Sequence, residues 1–194
     1  MNMTNFEKCQ NFVLEWEGGL TDDAADSGGL TKYGVSWAYL KDLEKSRPSV
    51  LRDILGTSIV TRQVIKDLTK NQAWRLFKYS FWDPFKLDEM PLAVALCAYD
   101  MNVNHGSFNC MKIIQRACNL LPSVMPKLAV DGKYGPKTRA AMNLASCPNG
   151  IGAIANKRQS FYDSIVANRP SQKVFWKGWT RRCNAMKRQA LEWL

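Results

Sequence analysis

The stretch W-E-G-G-L-T-D-D-A-A-D-S-G-G-L-T-K-Y-G-V-S, residues 16 to 36, decides how the rest of the chain is read. Glycines fall at 18, 19, 28, 29 and 34, and aspartates at 22, 23 and 26. Glycine is costly to order and stands where a backbone bends tightly or approaches something closely. Upstream, Thr4 and Glu7 have the T-x-x-E spacing of a capping box, and Phe6, Cys9, Val13 and Trp16 recur at helical spacing. They predict a first helix that stops at Gly18-Gly19, with Glu17 on or beside its apolar face. Residues 18–35 are too rich in glycine and turn formers for a helix and predict two or three short strands or turns.

Downstream the pattern is helical almost throughout. Ser36 predicts the cap of a helix from Trp37 to about Lys45, closed off by Pro48. Thr69 and Gln72 make a second capping box for a helix reaching Trp82 and ended by Asp83-Pro84. Pro91 opens a helix that Gly106 ends. Further helices are expected near 108–121, 136–146, 151–168 and 172–192, with V-D-G-K-Y-G-P-K-T (130–138) as a turn-rich break. The fold class is mainly α, with a small β element directly after the first helix.

At 194 residues the chain can bury a core as one domain or two small ones, and 46% hydrophobic residues argue against disorder. No apolar run approaches the length of a bilayer span. The N-terminus lacks a basic start followed by an apolar core, so the expectation is synthesis in a reducing cytoplasm without a secretory signal. Six cysteines without a CxxC pair and a single histidine make a zinc site improbable and predict buried free thiols. Neither metal nor cofactor is expected.

The net charge of +10 is unevenly placed. Residues 1–99 carry 12 Lys and Arg against 13 Asp and Glu, whereas residues 100–194 carry 15 against 4. The second half therefore suits a polyanion: nucleic acid, anionic lipid or an acidic wall polymer. The plainer alternative is a solvated basic surface that keeps the chain soluble.

Three polar residues of the opening stretch carry chemistry. A carboxyl on an apolar helix face, as at Glu17, is desolvated and its pKa raised, which suits a general acid near neutral pH. Asp26, in a glycine-rich turn, stays ionised. Two carboxyls whose environments pull their pKa values apart form an acid/base pair. Inverting glycosidases hold such a pair roughly 6.5–9.5 Å apart, with a water between. Fully extended, the segment from Glu17 to Asp26 would separate them by roughly 25–30 Å, so the glycines must fold it back. Thr31 could hold the water. The competing reading is a helix end followed by a loop whose aspartates bond to their own backbone.

E-G-G-L-x5-D-S-G-G-L-T-K-Y-G-V-S resembles the N-terminal signature of glycoside hydrolase family 108, N-acetylmuramidases found as phage endolysins and secretion-associated muramidases. Glu17, Gly18, Gly19, Asp26, Gly28, Gly29, Thr31, Gly34 and Ser36 match that signature, and Leu20 and Leu30 depart from it. D-L-T-K-N-Q-A-W (67–74), F-W-D-P (81–84) and A-Y-D-M-N-V-N-H-G (98–106) resemble the family's later helices. I-I-Q-R-A (113–117), residues 130–138 and F-W-K-G-W-T-R-R (175–182) resemble a peptidoglycan-binding module.

The resemblance implies a lysozyme-like α+β fold and hydrolysis of the β-1,4 bond between N-acetylmuramic acid and N-acetylglucosamine. It implies a catalytic region at 1–92 and a helical peptidoglycan-binding region at 93–194. Glu17 occupies the position of the catalytic acid; Asp26 and Thr31 follow with one fewer residue between them than in phage-type lysozymes. Tyr33, Asn102 and Tyr134 are the candidate substrate-binding residues.

Peptidoglycan is the expected partner, reached through a holin-like export pore, and the protein is expected to be a monomer that does not bind nucleic acid. The basic, tryptophan-bearing segment at 174–194 has the composition of an interfacial helix, so an anionic membrane is a second candidate partner. The alternative is an amphipathic helix packing its Trp and Leu on the core. A lytic transglycosylase and a non-catalytic wall-binding protein are the competing functions. A Cys–His hydrolase using His105 with Cys97 or Cys110 lacks an evident orienting residue, and a histidine at a helix end is more often a dipole partner.

Overall fold

The computed structural model describes residues 3–16 and 30–194. Helix α1 spans Asn5–Trp16. Its capping box forms as expected: the Glu7 amide donates to Thr4 Oγ1 at 3.2 Å and the Thr4 amide to Glu7 Oε2 at 2.8 Å. Phe6, Cys9 and Val13 are buried on the apolar face, joined by Phe12. A two-stranded antiparallel hairpin, β1 (Thr31–Lys32) and β2 (Val35–Ser36), follows. The fold is mainly α with one small hairpin after the first helix.

The chain divides into two compact units, Met1–Cys9 with Phe81–Leu194, and Gln10–Ser80. In the second of these the hairpin leads into α2 (Trp37–Ser46), α3 (Pro48–Leu55), α4 (Arg62–Lys66) and α5 (Lys70–Phe77). Pro48 does close α2, but it also starts α3, the first-turn position where its missing N–H costs nothing. The Thr69–Gln72 capping box forms, and α5 continues through a π-helical turn at Lys78–Trp82 before Asp83-Pro84. Tyr39 of α2 ties to this end of α5, its hydroxyl 3.1 Å from the Leu76 carbonyl and 2.6 Å from Ser80 Oγ.

The other unit is built on α6 (Leu92–Cys118), α7 (Pro136–Leu144), α8 (Pro148–Asn168) and α9 (Lys173–Glu192). α6, α8 and α9 pack pairwise, and α7 packs on α6. Residues 93–102 of α6 are all buried, apolar on every side except for Asp100 and Asn102. Gly106, expected to end this helix, sits at φ 73° and ψ 162° and kinks it, so two helical stretches share one element. Trp82 and Tyr99 are fully buried and meet Phe6 edge-to-face, with ring centroids 5.4 to 5.8 Å apart.

α9 buries Arg182, Cys183, Met186 and Ala190. The expected Trp- and Leu-packed face forms only in part: Trp179 packs on the buried Tyr162, while Trp176 and Leu191 stay exposed. The buried arginine is there because α6 places the Asp100 carboxylate opposite it. Arg182 Nε donates to Asp100 Oδ1 at 2.8 Å and Arg158 of α8 to Oδ2 at 2.5 Å.

Candidate active site

Beyond Trp16 at the end of α1, Leu30 and the hairpin hold the described part of the opening stretch. Thr31 pairs with Ser36 and Lys32 with Val35. The two connecting residues, Tyr33 (φ 53°) and Gly34 (φ 78°), both have left-handed backbones. That is the two-residue turn whose twist suits paired strands, and it explains the glycine at 34. For Tyr33 the same conformation costs about 1 kcal/mol or more because its Cβ crowds the next carbonyl. The hairpin is pinned against that cost. Val35 is fully buried, and the Trp37 amide donates to the Leu30 carbonyl at 3.0 Å. Ser36 Oγ accepts the Tyr39 amide at 3.2 Å, so the last strand residue is also the cap of α2. The Lys32 ammonium bonds the Lys66 carbonyl at the end of α4 and lies 5.5 Å from the Tyr33 ring centroid.

Thr31, half-buried on β1, and Tyr33, exposed at the tip, are therefore carried on a short element fixed at base, side and tip. Glu17 and Asp26 lie outside the described residues. The arrangement can present a hydroxyl and an aromatic ring on a rigid ledge, as positioning of a water or a sugar requires.

Asn102 and Tyr134 belong to the other unit. Asn102 is fully buried, its Nδ2 donating to the Phe81 carbonyl at 2.8 Å and its Oδ1 accepting from Ser107 Oγ at 3.0 Å. It fastens the start of the Asp83-Pro84 bend to the residues just past the Gly106 kink. Tyr134 lies in the turn before α7, its ring 5.3 Å from Phe85, and lines two adjoining clefts of about 580 and 710 Å3. Its hydroxyl is buried without a hydrogen-bond partner among the described residues, and burial raises its pKa. The D-G-K-Y-G-P-K-T turn is itself held by Asp131, which accepts from the Lys133 amide and the Gln115 side chain at 2.9 and 2.8 Å.

The Cys–His alternative fails on protonation. Burial pushes the Cys97 and Cys110 thiols well above their ordinary value, so neither is a thiolate near neutral pH. His105 is pushed down to about 3, first by burial and then by the Arg158 guanidinium, whose Nε donates to His105 Nε2 at 3.2 Å. It is neutral at pH 7 and serves as an acceptor, which also corrects the expectation of a charged dipole partner.

At the centre of the same cluster, burial alone would raise the Asp100 carboxyl. Arg158 and Arg182 outweigh it and hold the carboxyl below its usual range. The spacing of these three residues, 58 and 82 positions from Asp100, left no local signal in the sequence.

Residues 10–106 match the sequence model described as Glycosyl hydrolase 108, and residues 109–184 one described as Predicted Peptidoglycan domain. The two matches meet beside the Gly106 kink. Among solved structures the chain is similar to Brucella abortus SagA, with a TM-score of 0.69 and 24% sequence identity over 97% of this chain and 94% of that one. At that identity the likeness is one of fold. No curated protein matches the chain in sequence.

Proposed function

The chain belongs to the glycosyl hydrolase 108 family, and from that premise we propose that it cleaves the β-1,4 bond between N-acetylmuramic acid and N-acetylglucosamine. Both sequence matches support a glycoside hydrolase acting on peptidoglycan at the cell wall. The observation that carries the finer reading is that the family match spans Glu17, Asp26 and Thr31 together, with Thr31 on the pinned hairpin.

Glu17 gives its proton to the departing oxygen on C4 of N-acetylglucosamine as the bond from C1 of N-acetylmuramic acid breaks. A water, held by Thr31 and deprotonated by Asp26, attacks C1 from the opposite face. The product is a reducing N-acetylmuramic acid end with inverted configuration, and each carboxyl has exchanged one proton. Tyr33 contributes a ring at the edge of this site. Residues 1–92 carry catalysis and 93–194 wall binding; this is a division of roles, since the compact units are bounded at residues 9/10 and 80/81.

Digestion of purified peptidoglycan with products identified by mass tests the reading. The wild type is expected to leave reducing N-acetylmuramic acid ends, which Glu17→Gln and Asp26→Asn both abolish. Anhydro ends, or an Asp26→Asn variant with full activity, would assign a lytic transglycosylase instead. A wild type that yields no product would be a wall-binding protein.

A further inference from the structure

The helical unit contains a groove that the hydrolytic reading does not use. Its volume is about 530 Å3, within the size class of small-ligand clefts, and its lining includes Asn109, Phe161, Asn168, Arg169, Gln172 and Trp179. Trp179 stands in a continuous aromatic stack, 5.2 Å from the buried Tyr162 ring at 23° and 5.9 Å from Phe175 at 26°. The stack opens to solvent at Phe175, which is 53% exposed, and beside it Trp176 is fixed at the surface by its Nε1–H bond to Asp163 at 2.8 Å.

The polar groups of the groove keep hydrogen-bonding capacity to spare. Asn109 and Asn168 each donate one amide hydrogen backwards, to the His105 and Ser164 carbonyls at 3.1 and 2.8 Å. Each side-chain oxygen has no donor among the described residues. The Gln172 amide and the Arg169 guanidinium have no side-chain partner among the described residues. An aromatic wall with amide acceptors, amide donors and one guanidinium matches an N-acetylated sugar that carries a carboxylate. The pyranose C–H face lies against Phe161 and the edge of Trp179, the acetamido group meets the amides, and the carboxylate meets arginine. A lipid surface would use the exposed Val174 and Phe175 but not the groove amides.

Charge points the same way. The four acids of residues 100–194 are all engaged. Asp100 pairs with two arginines, Asp131 holds its turn, Asp163 accepts from Trp176 and Gln159, and Glu192 accepts from Gln189. Apart from Arg139, which pairs with Glu89, the surface cations of this half have no carboxylate partner among the described residues.

We propose that this groove binds the glycan strand of peptidoglycan, one N-acetylated ring against Trp179 and Phe161 and a lactyl or stem-peptide carboxylate at Arg169. The proposal rests on the peptidoglycan reading above, and every lining residue falls within the matched peptidoglycan domain, residues 109–184.

The test uses the full chain carrying Glu17→Gln, so that sacculi survive the assay. Co-sedimentation with purified sacculi is compared for this parent, for the parent with Arg169→Ala and Gln172→Ala, and for the parent with Trp179→Leu. The first pair removes side chains that hold nothing in the fold, and circular dichroism checks the second. Affinity is expected to fall about tenfold in each, the loss that removal of a central anchor brings. Intrinsic tryptophan fluorescence of the parent should shift with a soluble disaccharide-peptide and not with phosphatidylglycerol vesicles. A parent that sediments while both variants sediment equally overturns the groove and leaves the peptidoglycan reading standing. A parent that does not sediment, together with a wild type that yields no muropeptides, overturns both. Binding to the vesicles alone, lost in the variants, overturns the groove as a glycan site and assigns the patch to membrane.

Discussion

The unit Gln10–Ser80 and the assembly of α6, α8 and α9 handle their polar groups in opposite ways. In the first, polar side chains work singly and near the surface: Ser36, Thr61 and Thr69 each cap the helix that follows, and Lys32 reaches 34 positions along the chain to tie off the end of α4. Each such contact is worth about 1 kcal/mol and breaks alone. In the second, Asp100, Arg158 and Arg182 are buried together, with His105, Tyr162 and Met186 as further partners of Arg158. Removing charges from water costs several kcal/mol per ion, so these groups are tolerable only as a set. The region expected to do chemistry is a chain of replaceable local devices; the region expected to hold the wall is one interdependent core.

The hardest way to break that contrast is Asp100→Ala. It leaves two guanidiniums buried without their carboxylate and is expected to lower the unfolding free energy by about 3–5 kcal/mol, measured by urea denaturation. A loss below about 1 kcal/mol would mean that the core relaxes as readily as the capped helices do.

Next is the pH response of His105. Its folded pKa of about 3 lies below the ordinary 6.5, so between these values the unfolded chain binds a proton that the folded chain excludes. This contribution is fully present above pH 6.5 and is lost as pH falls towards 3. From pH 7.5 to pH 5 the loss is about 2 kcal/mol. His105→Gln should flatten the stability profile across that window, and an unchanged slope would remove His105 from the account.

Gly34→Ala sharpens the other side of the contrast. At φ 78° a Cβ costs about 1 kcal/mol of stability. Clearing of sacculi should nonetheless drop about tenfold or more, because the hairpin carrying Thr31 shifts. Activity that fell only in step with stability would argue against a positioning role for the hairpin. Smaller still, Thr69→Ala removes one cap and should cost about 1 kcal/mol without changing the products. The smallest effect is expected from Arg139→Ala, which removes an exposed pair with Glu89 and should cost less than about 0.5 kcal/mol in the same urea titration.

Legibility follows the same divide. Both capping boxes, the stop at Asp83-Pro84, the start of α2 after Ser36 and the break at Gly106 were readable because each depends on residues within four positions of one another. Helix α3 is not legible in this way, because Pro48 after α2 reads as a stop although proline equally begins a helix. The proposed site rests on the pattern of Glu17, Asp26 and Thr31, of which Thr31 alone lies among the described residues. The hairpin that carries Thr31 was legible only as turn-rich sequence, since two-residue strands have too few positions for an alternation to register.

The sequence by itself determined the helical class, the short β element after the first helix, the family, and the excess of positive charge in residues 100–194. These are sums of local preferences or of composition, and neither needs a partner to be known. Tertiary structure alone decided that Asp100 meets arginines 58 and 82 positions away, that His105 is neutral, and that Trp179 and Arg169 share a groove with Asn109. Helix packing brings distant positions together and removes them from water, and desolvation then sets both their charge and what they can bind.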